Sequence, residues 1–148
     1  MQKSVDSYEA FIAGKTHTDT NDGFEPIDVP SYLFDFQGAL VEWAVRKGRA
    51  AVFADCGMGK SIIQLVWADN VVRKTNRPVL ILTPLAVSAQ MAREAERFGV
   101  GAALALDGKL RPGINIANYE RLHYFSAGDF VGAVCDESAI LKSFDGAR

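Results

Sequence analysis

The residues with the clearest chemical potential in this sequence form the run ADCGMGKS at positions 54–61. It contains two glycines and a Lys-Ser pair: Gly57, Gly59, Lys60 and Ser61. Glycines let an anion approach backbone N–H groups closely, and the amino end of a following helix adds its positive dipole. A lysine ammonium can reach the outer phosphates of a nucleotide, and a serine hydroxyl can bind Mg²⁺. The run therefore predicts a phosphate-binding loop.

The loop departs at one position from the strict pattern of a phosphate-binding loop. That pattern begins with glycine, where this sequence has Ala54. Cys56 and Met58 alternate with the two glycines, and we assign both to the same nucleotide-binding loop. The alternative is a glycine turn followed by a Lys-Ser pair with no role in nucleotide binding.

A pair of carboxylates, Asp136 and Glu137, follows the last apolar run of the chain. In a site that hydrolyses a nucleotide, one carboxylate holds hydrated Mg²⁺ and its neighbour orients and deprotonates the attacking water. Such a pair after a strand is also common at the start of a solvated loop or as a helix cap. Its position after the phosphate-binding loop, with strands and helices between the two, favours the catalytic interpretation.

Apolar runs and helical periodicity alternate along most of the chain. The runs predict five buried strands, at 50–54, 78–84, 102–106, 114–118 and 130–135. The spacing of apolar residues predicts helices at 33–47, 61–74 and 86–99 and a short helix at 119–125. Continuous apolar strands that alternate with helices are typical of a parallel sheet covered on both faces. We therefore expect a three-layer α/β domain with a mostly parallel sheet.

Length, composition and charge limit the classes of protein to consider. The 148 residues correspond to one domain, and 49% apolar with 23% charged residues is typical of a globular chain. The formal net charge of −2 excludes a global basic field, so any contact with nucleic acid must be local. We find no apolar run near the roughly 20 residues that span a bilayer and no secretory signal, and we expect the protein inside a cell.

Two regions of the sequence carry separate expectations. Residues 1–30 are polar and rich in turn residues and prolines, so we interpret them as an N-terminal arm. Four apolar residues can pin this arm to the domain at 31–148: Phe11, Ile12, Phe24 and Ile27. Cys56 and Cys135 cannot form a disulfide framework, and we predict two small buried side chains kept reduced.

Five segments resemble, in order and rough spacing, the first motor lobe of superfamily 2 helicases and translocases. They are Phe36-Gln37, ADCGMGKS, LILTPLAVSAQ, NYERL and VCDES. Within that superfamily the chain looks most like the Swi/Snf-type branch, in particular the helicase-like proteins of phages and prophages, in which alanine at the first loop position is usual. The resemblance covers residues 30–148 and implies a RecA-like P-loop domain with ATP and Mg²⁺ as cofactors.

The resemblance also implies roles in the ATP site. Gln37 would recognise the adenine edge, because an amide can donate and accept hydrogen bonds together. Its alternative is an ordinary polar residue of a helix. Lys60 and Ser61 would hold phosphate and Mg²⁺, Asp136 would hold Mg²⁺, and Glu137 would be the catalytic base.

Four further residues would lie on the nucleic-acid track if the resemblance holds. Thr83 and Pro84 match a motif at a strand end that meets the nucleic-acid backbone, where a hydroxyl and helix N–H groups can bind phosphate. Asn118 and Tyr119 match a second strand-to-helix junction near that track. The alternatives are a simple turn at Thr83 and a helix N-cap at Asn118.

These features together predict the ATP-binding lobe of a DNA-dependent ATPase, a helicase or double-strand DNA translocase, in the cytoplasm of a bacterial or phage-infected cell. The acidic motif reads Asp-Glu-Ser-Ala, a departure from Asp-Glu-Ala-His and Asp-Glu-Ala-Asp. A second RecA-like lobe, in a longer chain or in a partner, would complete the ATP site, so we expect these 148 residues alone to contact DNA weakly and to be weak or inactive in hydrolysis. The alternative function is a non-catalytic nucleotide-binding module that docks a partner chain.

Overall fold

A computed structural model describes residues 21–54 and 59–137 of the chain. Its elements, in chain order, are α1 (Asp35–Lys47), α2 (Lys60–Thr75), β1 (Val79–Thr83), α3 (Leu85–Arg97), β2 (Ala102–Leu104), β3 (Ile114–Asn118), 3₁₀ helices at Tyr119–Tyr124 and Ala127–Asp129, and β4 (Gly132–Cys135). All the predicted elements except the strand at 50–54 are present with bounds within two residues of the prediction, the short helix at 119–125 as a 3₁₀ helix. No helix in these ranges is both long and apolar enough to cross a membrane.

The four strands form one sheet in the order β2-β3-β1-β4, and every neighbouring pair is parallel. In the register of β1 and β3, Val79 pairs with Ile114 and Thr83 with Asn118. The carboxyl ends of these two strands therefore lie side by side. The fold is α/β, as predicted, with helices between parallel strands.

The two faces of the sheet are covered unequally. One face packs into the main core together with α1, α2 and α3, through side chains such as Ile81 and Ile116. The other face carries a smaller cluster of Leu80, Leu82, Ala117 and Tyr119, which the partly buried Phe125 and Phe130 cover. The sheet thus lies between a layer of three helices and a thinner layer from the two 3₁₀ helices and their flanks.

Strand position decides which of the apolar runs are fully buried. Every residue of β1 and β3 is buried because both strands have neighbours on each side and cover on each face. At the sheet edge, β4 alternates between half-buried and exposed residues, and Val134 packs against the main core. Cys135 points to the opposite face and is exposed as a free thiol. The prediction of a buried Cys135 is therefore wrong, because the apolar pattern of β4 does not reveal that it is an edge strand.

The predicted strand at 50–54 is also wrong. These residues have no strand structure, and Phe53 is 97% exposed. An apolar run becomes a strand only when a neighbouring strand supplies hydrogen-bond partners, and no strand in the described ranges pairs with this run. Its hydrophobicity alone could not reveal the missing partner.

The described part of the N-terminal arm is bound to the end of α1. Backbone N–H groups of residues 22–24 donate to the carbonyls of residues 45–47, at N–O distances from 3.0 to 3.2 Å. Those carbonyls belong to the last turn of α1, which lacks partners within the helix. A side chain at Gly23 would collide with the carbonyl of Val45, so this close approach requires glycine. Phe24 packs against the main core as predicted, whereas the Ile27 side chain is half exposed. Phe11 and Ile12 lie outside the described residues.

Asn70 on α2 holds the next part of the arm. Its Oδ1 accepts hydrogen bonds from the N–H groups of Ile27 at 2.7 Å and Asp28 at 3.0 Å. Its Nδ2 donates to the carbonyls of Asp28 and Val66. Asn70 is fully buried, so these bonds supply the polar partners that burial of an amide requires. The segment 21–30 is therefore part of the folded domain.

Candidate nucleotide site

Gly59 sets the entry into α2, the helix that carries the Lys-Ser pair. Its backbone is left-handed, with φ 67° and ψ 42°, a conformation that side chains disfavour. Lys60 is the first residue of α2 and Ser61 the second, so both lie where the helix presents unpaired N–H groups. The predicted loop residues Cys56, Gly57 and Met58 lie outside the described residues.

Gln37 lies directly against this entry. Its side chain is buried, with 6% exposure, and its Oε1 accepts a hydrogen bond of 3.0 Å from the Phe34 N–H at the start of α1. A Cβ atom on Gly59 would collide with the Gln37 Nε2. The structure therefore brings together two of the predicted ATP-site residues from separate helices, and Gln37 is more than a solvated residue of a helix face.

The acidic motif lies beside the first two turns of α2. The Nε2 of Gln64 donates a 2.9 Å hydrogen bond to Oδ1 of Asp136. Gln64 is three residues after Ser61, and residues at this spacing share a helix face. The Asp136 N–H also donates to the Leu82 carbonyl at 2.8 Å, which extends the ladder between β4 and β1. Asp136 is thus fixed near the amino end of α2.

Glu137 has an unusual backbone for a residue with a side chain. Its φ of 53° lies in the left-handed region, and the residue is exposed. Immediately before it, the carbonyl of Asp136 accepts a 2.6 Å hydrogen bond from the Tyr119 hydroxyl. Burial, together with the neighbouring Cys135, Asp136 and Glu137, raises the pKa of Tyr119 above its usual value of 10.0. The hydroxyl therefore remains a protonated donor at neutral pH.

The charges of the site suit an anion with a divalent cation. Lys60 forms no ion pair within the part of the chain that the structure describes, so its ammonium is available to a ligand. The Ser61 hydroxyl and the Asp136 carboxylate are hard oxygen donors of the kind that Mg²⁺ takes. Within the same ranges no group of three His, Cys, Asp or Glu could hold a metal alone. Mg²⁺ commonly takes one or two protein oxygens together with water and nucleotide phosphate.

No protein-family model matches the chain, and no curated protein matches it.

Two of the four predicted nucleic-acid residues come together at the carboxyl edge of the sheet, where Thr83 and Asn118 are register partners. Thr83 is fully buried, and its Oγ1 lies 2.7 Å from the Ser88 Oγ and 3.0 Å from the Pro84 carbonyl oxygen. The hydroxyl is therefore engaged inside the junction between β1 and α3. Pro84 occupies the N-cap position of α3.

Asn118 and Tyr119 are also buried, with exposed fractions of 2% and 3%. Asn118 occupies the N-cap position of the 3₁₀ helix but makes no side-chain capping bond, and its Nδ2 donates to Glu120 Oε2 at 2.5 Å. Its Oδ1 is buried with no partner among the described residues. A phosphate at this edge would thus meet backbone groups and exposed neighbours such as Leu85 and Arg121 first.

The sequence interpretation missed Gln64 and Ser88, which hold two of the predicted site residues. Helical spacing contains a signal for both, because Gln64 follows Ser61 by one turn and Ser88 lies in the first turn after Pro84. The partner of each side chain lies on a strand end, so only the packing of helices on the sheet identifies it.

Proposed function

We propose that residues 31–148 are the first, RecA-like lobe of a DNA-dependent ATPase, a helicase or double-strand DNA translocase of the Swi/Snf-type branch. In this proposal the lobe binds ATP with Mg²⁺ and hydrolyses it when a second lobe completes the site. The observation that carries the proposal is the hydrogen bond between Gln64 and Asp136. It brings the acidic motif to the helix that begins with Lys60 and Ser61.

Each residue has a separate chemical task in this proposal. Lys60 neutralises phosphate charge, and Gln37 pairs with the adenine edge. Ser61 and Asp136 would hold Mg²⁺, which when bound supplies charge stabilisation to the phosphates. Glu137 orients a water molecule and accepts its proton. Arginines from a second lobe would complete the stabilisation of the transition state, so hydrolysis by the isolated lobe is slow.

The proposal includes a weak, local contact with DNA in the cytoplasm of a bacterial or phage-infected cell. The net charge of −2 supplies no general attraction to nucleic acid. Because the Thr83 and Asn118 side chains are buried, this contact would be made by the surrounding backbone and exposed residues. Such a contact positions the phosphate backbone without reading base sequence.

Binding of a fluorescent ATP analogue with Mg²⁺ tests the nucleotide site. Lys60→Ala should weaken binding by about tenfold or more, because it removes the ammonium from the phosphates. Lys109→Ala is the matched control, since Lys109 is exposed and lies far from Lys60 in the sequence. Equal affinities of wild type and Lys60→Ala would contradict the proposed site.

A non-catalytic module that docks a partner is the second candidate. The observations that favour it are the outer edge of β4, which pairs with no strand in the described ranges, and the 97% exposed Phe53. Glu137→Gln separates the candidates in an assay of the protein's role in cells. If the variant still binds nucleotide but loses the role in cells, the result supports the ATPase. If the variant keeps the full role in cells, the result supports the docking module.

A further inference from the structure

We propose that Tyr119 is a positioning residue of the acidic motif. In this inference, which rests on the proposed function, its hydroxyl holds the carbonyl of Asp136 and so fixes the turn that presents Glu137. The role differs from the contact with nucleic acid that the sequence pattern assigns to Tyr119. It requires no direct contact of Tyr119 with nucleotide.

The turn needs a restraint of this kind. Glu137 has a φ of 53°, and a residue with a side chain persists in the left-handed region only when its surroundings hold it there. The 2.6 Å bond from the Tyr119 hydroxyl ends on the carbonyl of the peptide that joins Asp136 to Glu137. Rotation of that peptide out of the left-handed turn would break the bond.

Tyr119 is itself well anchored. It directly follows the last residue of β3, is 3% exposed and packs in the small cluster with Leu80, Leu82 and Ala117. Three of these four residues lie on the central strands, so the sheet fixes the position of the hydroxyl. A mobile surface side chain could not hold a turn in this way.

Asp136 forms hydrogen bonds with three separate elements, donating one and accepting two. Its N–H bonds to the Leu82 carbonyl of β1, its side chain to Gln64 of α2, and its carbonyl to Tyr119 of the 3₁₀ helix. The first two bonds leave the peptide that leads into Glu137 free to rotate. Among the residues that the structure describes, the hydrogen bond from Tyr119 is the one that ends on that peptide, so the hydroxyl can control the turn at Glu137.

Hydrogen–deuterium exchange of the full chain, followed over a peptide that covers residues 132–137, tests the inference without nucleotide. Tyr119→Phe removes only the hydroxyl and keeps the ring, and we expect exchange near Asp136 to become about fivefold faster. Tyr124→Phe, the same change at a side chain that is 52% exposed, should leave exchange unchanged. Wild-type exchange rates in Tyr119→Phe would overturn the inference.

A second variant distinguishes restraint of the turn from general loosening of the fold. Asparagine tolerates left-handed backbone better than glutamate does. In the background of Glu137→Asn, the turn depends less on the hydroxyl, so Tyr119→Phe should accelerate exchange by about twofold or less. An undiminished effect would show that Tyr119 acts on overall stability instead, and would overturn the inference.

Metal dependence of nucleotide binding connects the turn to the proposed reaction. The carbonyl that Tyr119 holds belongs to Asp136, the proposed Mg²⁺ ligand, so its release also loosens the backbone that carries this carboxylate. We therefore expect Tyr119→Phe to leave the affinity for the fluorescent ATP analogue unchanged in EDTA, and to reduce the gain from Mg²⁺ by about threefold or more. A purely structural role would change both affinities together and would contradict the inference. Faster exchange in Tyr119→Phe, combined with no difference between Lys60→Ala and wild type, would support the role of Tyr119 in holding the turn and overturn the nucleotide site.

Discussion

The Nε2 of Gln64 lies 2.9 Å from Oδ1 of Asp136, and this hydrogen bond joins α2 to the end of β4 across 72 positions of sequence. Ser61 lies one turn before Gln64 on the same helix. The bond therefore brings an acidic side chain to the start of the helix that carries Lys60 and Ser61. It holds one oxygen of the Asp136 carboxylate in a fixed direction.

We expect Gln64→Ala to weaken the metal-dependent part of nucleotide binding. Loss of one hydrogen bond to a carboxylate corresponds to roughly 1.5 kcal/mol, or about tenfold in affinity. Titration of Mg²⁺ in the presence of a fluorescent ATP analogue measures the effect. Gln90→Ala is the control, because Gln90 is an exposed glutamine whose side chain donates to Glu94 on the same helix, α3. A Mg²⁺ dependence equal to that of wild type would argue against a role for Gln64.

Gly59→Ala should destabilise the protein through two separable effects. The new side chain meets a left-handed backbone, with φ 67°, and also collides with the Gln37 Nε2. Gly99→Ala isolates the first effect, because Gly99 has φ 71° but open space around its missing Cβ. Backbone strain alone amounts to about 1–2 kcal/mol. In urea unfolding, the free energy of unfolding should therefore fall by more in Gly59→Ala than in Gly99→Ala.

Removal of the obstructing amide provides the second test of that explanation. Gln37→Ala should recover the part of the Gly59→Ala loss that exceeds the loss in Gly99→Ala. Additive effects of the two substitutions at Gly59 and Gln37 would show that the amide is not the obstacle.

Asn70→Ala should destabilise the fold by about 3 kcal/mol and release the segment at 21–30. The substitution removes a fully buried amide that accepts from the N–H groups of Ile27 and Asp28 and donates to the carbonyls of Asp28 and Val66. Urea unfolding measures the stability, and hydrogen exchange of the N-terminal segment measures its release. Asn21→Ala, at an exposed asparagine, is the control. A stability loss below about 1 kcal/mol would contradict the central role given to Asn70.

Asp107 should make a small contribution to the way the free energy of unfolding falls at acidic pH. The Arg111 guanidinium bonds to this carboxylate at 3.0 Å and lowers its pKa from 3.8 to about 2. A lowered pKa in the folded state stabilises the fold above the unfolded value of 3.8, and this contribution is lost as pH falls from there towards 2. The stability difference between wild type and Asp107→Asn should therefore shrink over that range. An NMR titration of Asp107 with a midpoint near 3.8 would contradict the assignment.

Local sequence determined most of the secondary structure. The continuous apolar runs that became β1 and β3 and the helical spacing of α1, α2 and α3 are properties of short segments, and these elements are present within two residues of the predicted bounds. Residue type and order also reveal the chemical groups of the candidate site: the glycines, Lys60, Ser61 and the acidic pair. Their use in ATP hydrolysis remains a proposal.

Tertiary structure decided which apolar runs were paired and which polar groups met. The sequence could not distinguish the edge strand β4, with its exposed Cys135, from a central strand, nor show that the run at 50–54 lacks a partner among the described residues. It also did not reveal that Gln64 and Tyr119 both hold Asp136. Periodicity reports how each segment prefers to fold and be buried. Pairing, contact across elements and restraint of a strained turn depend on the surfaces that packing brings together.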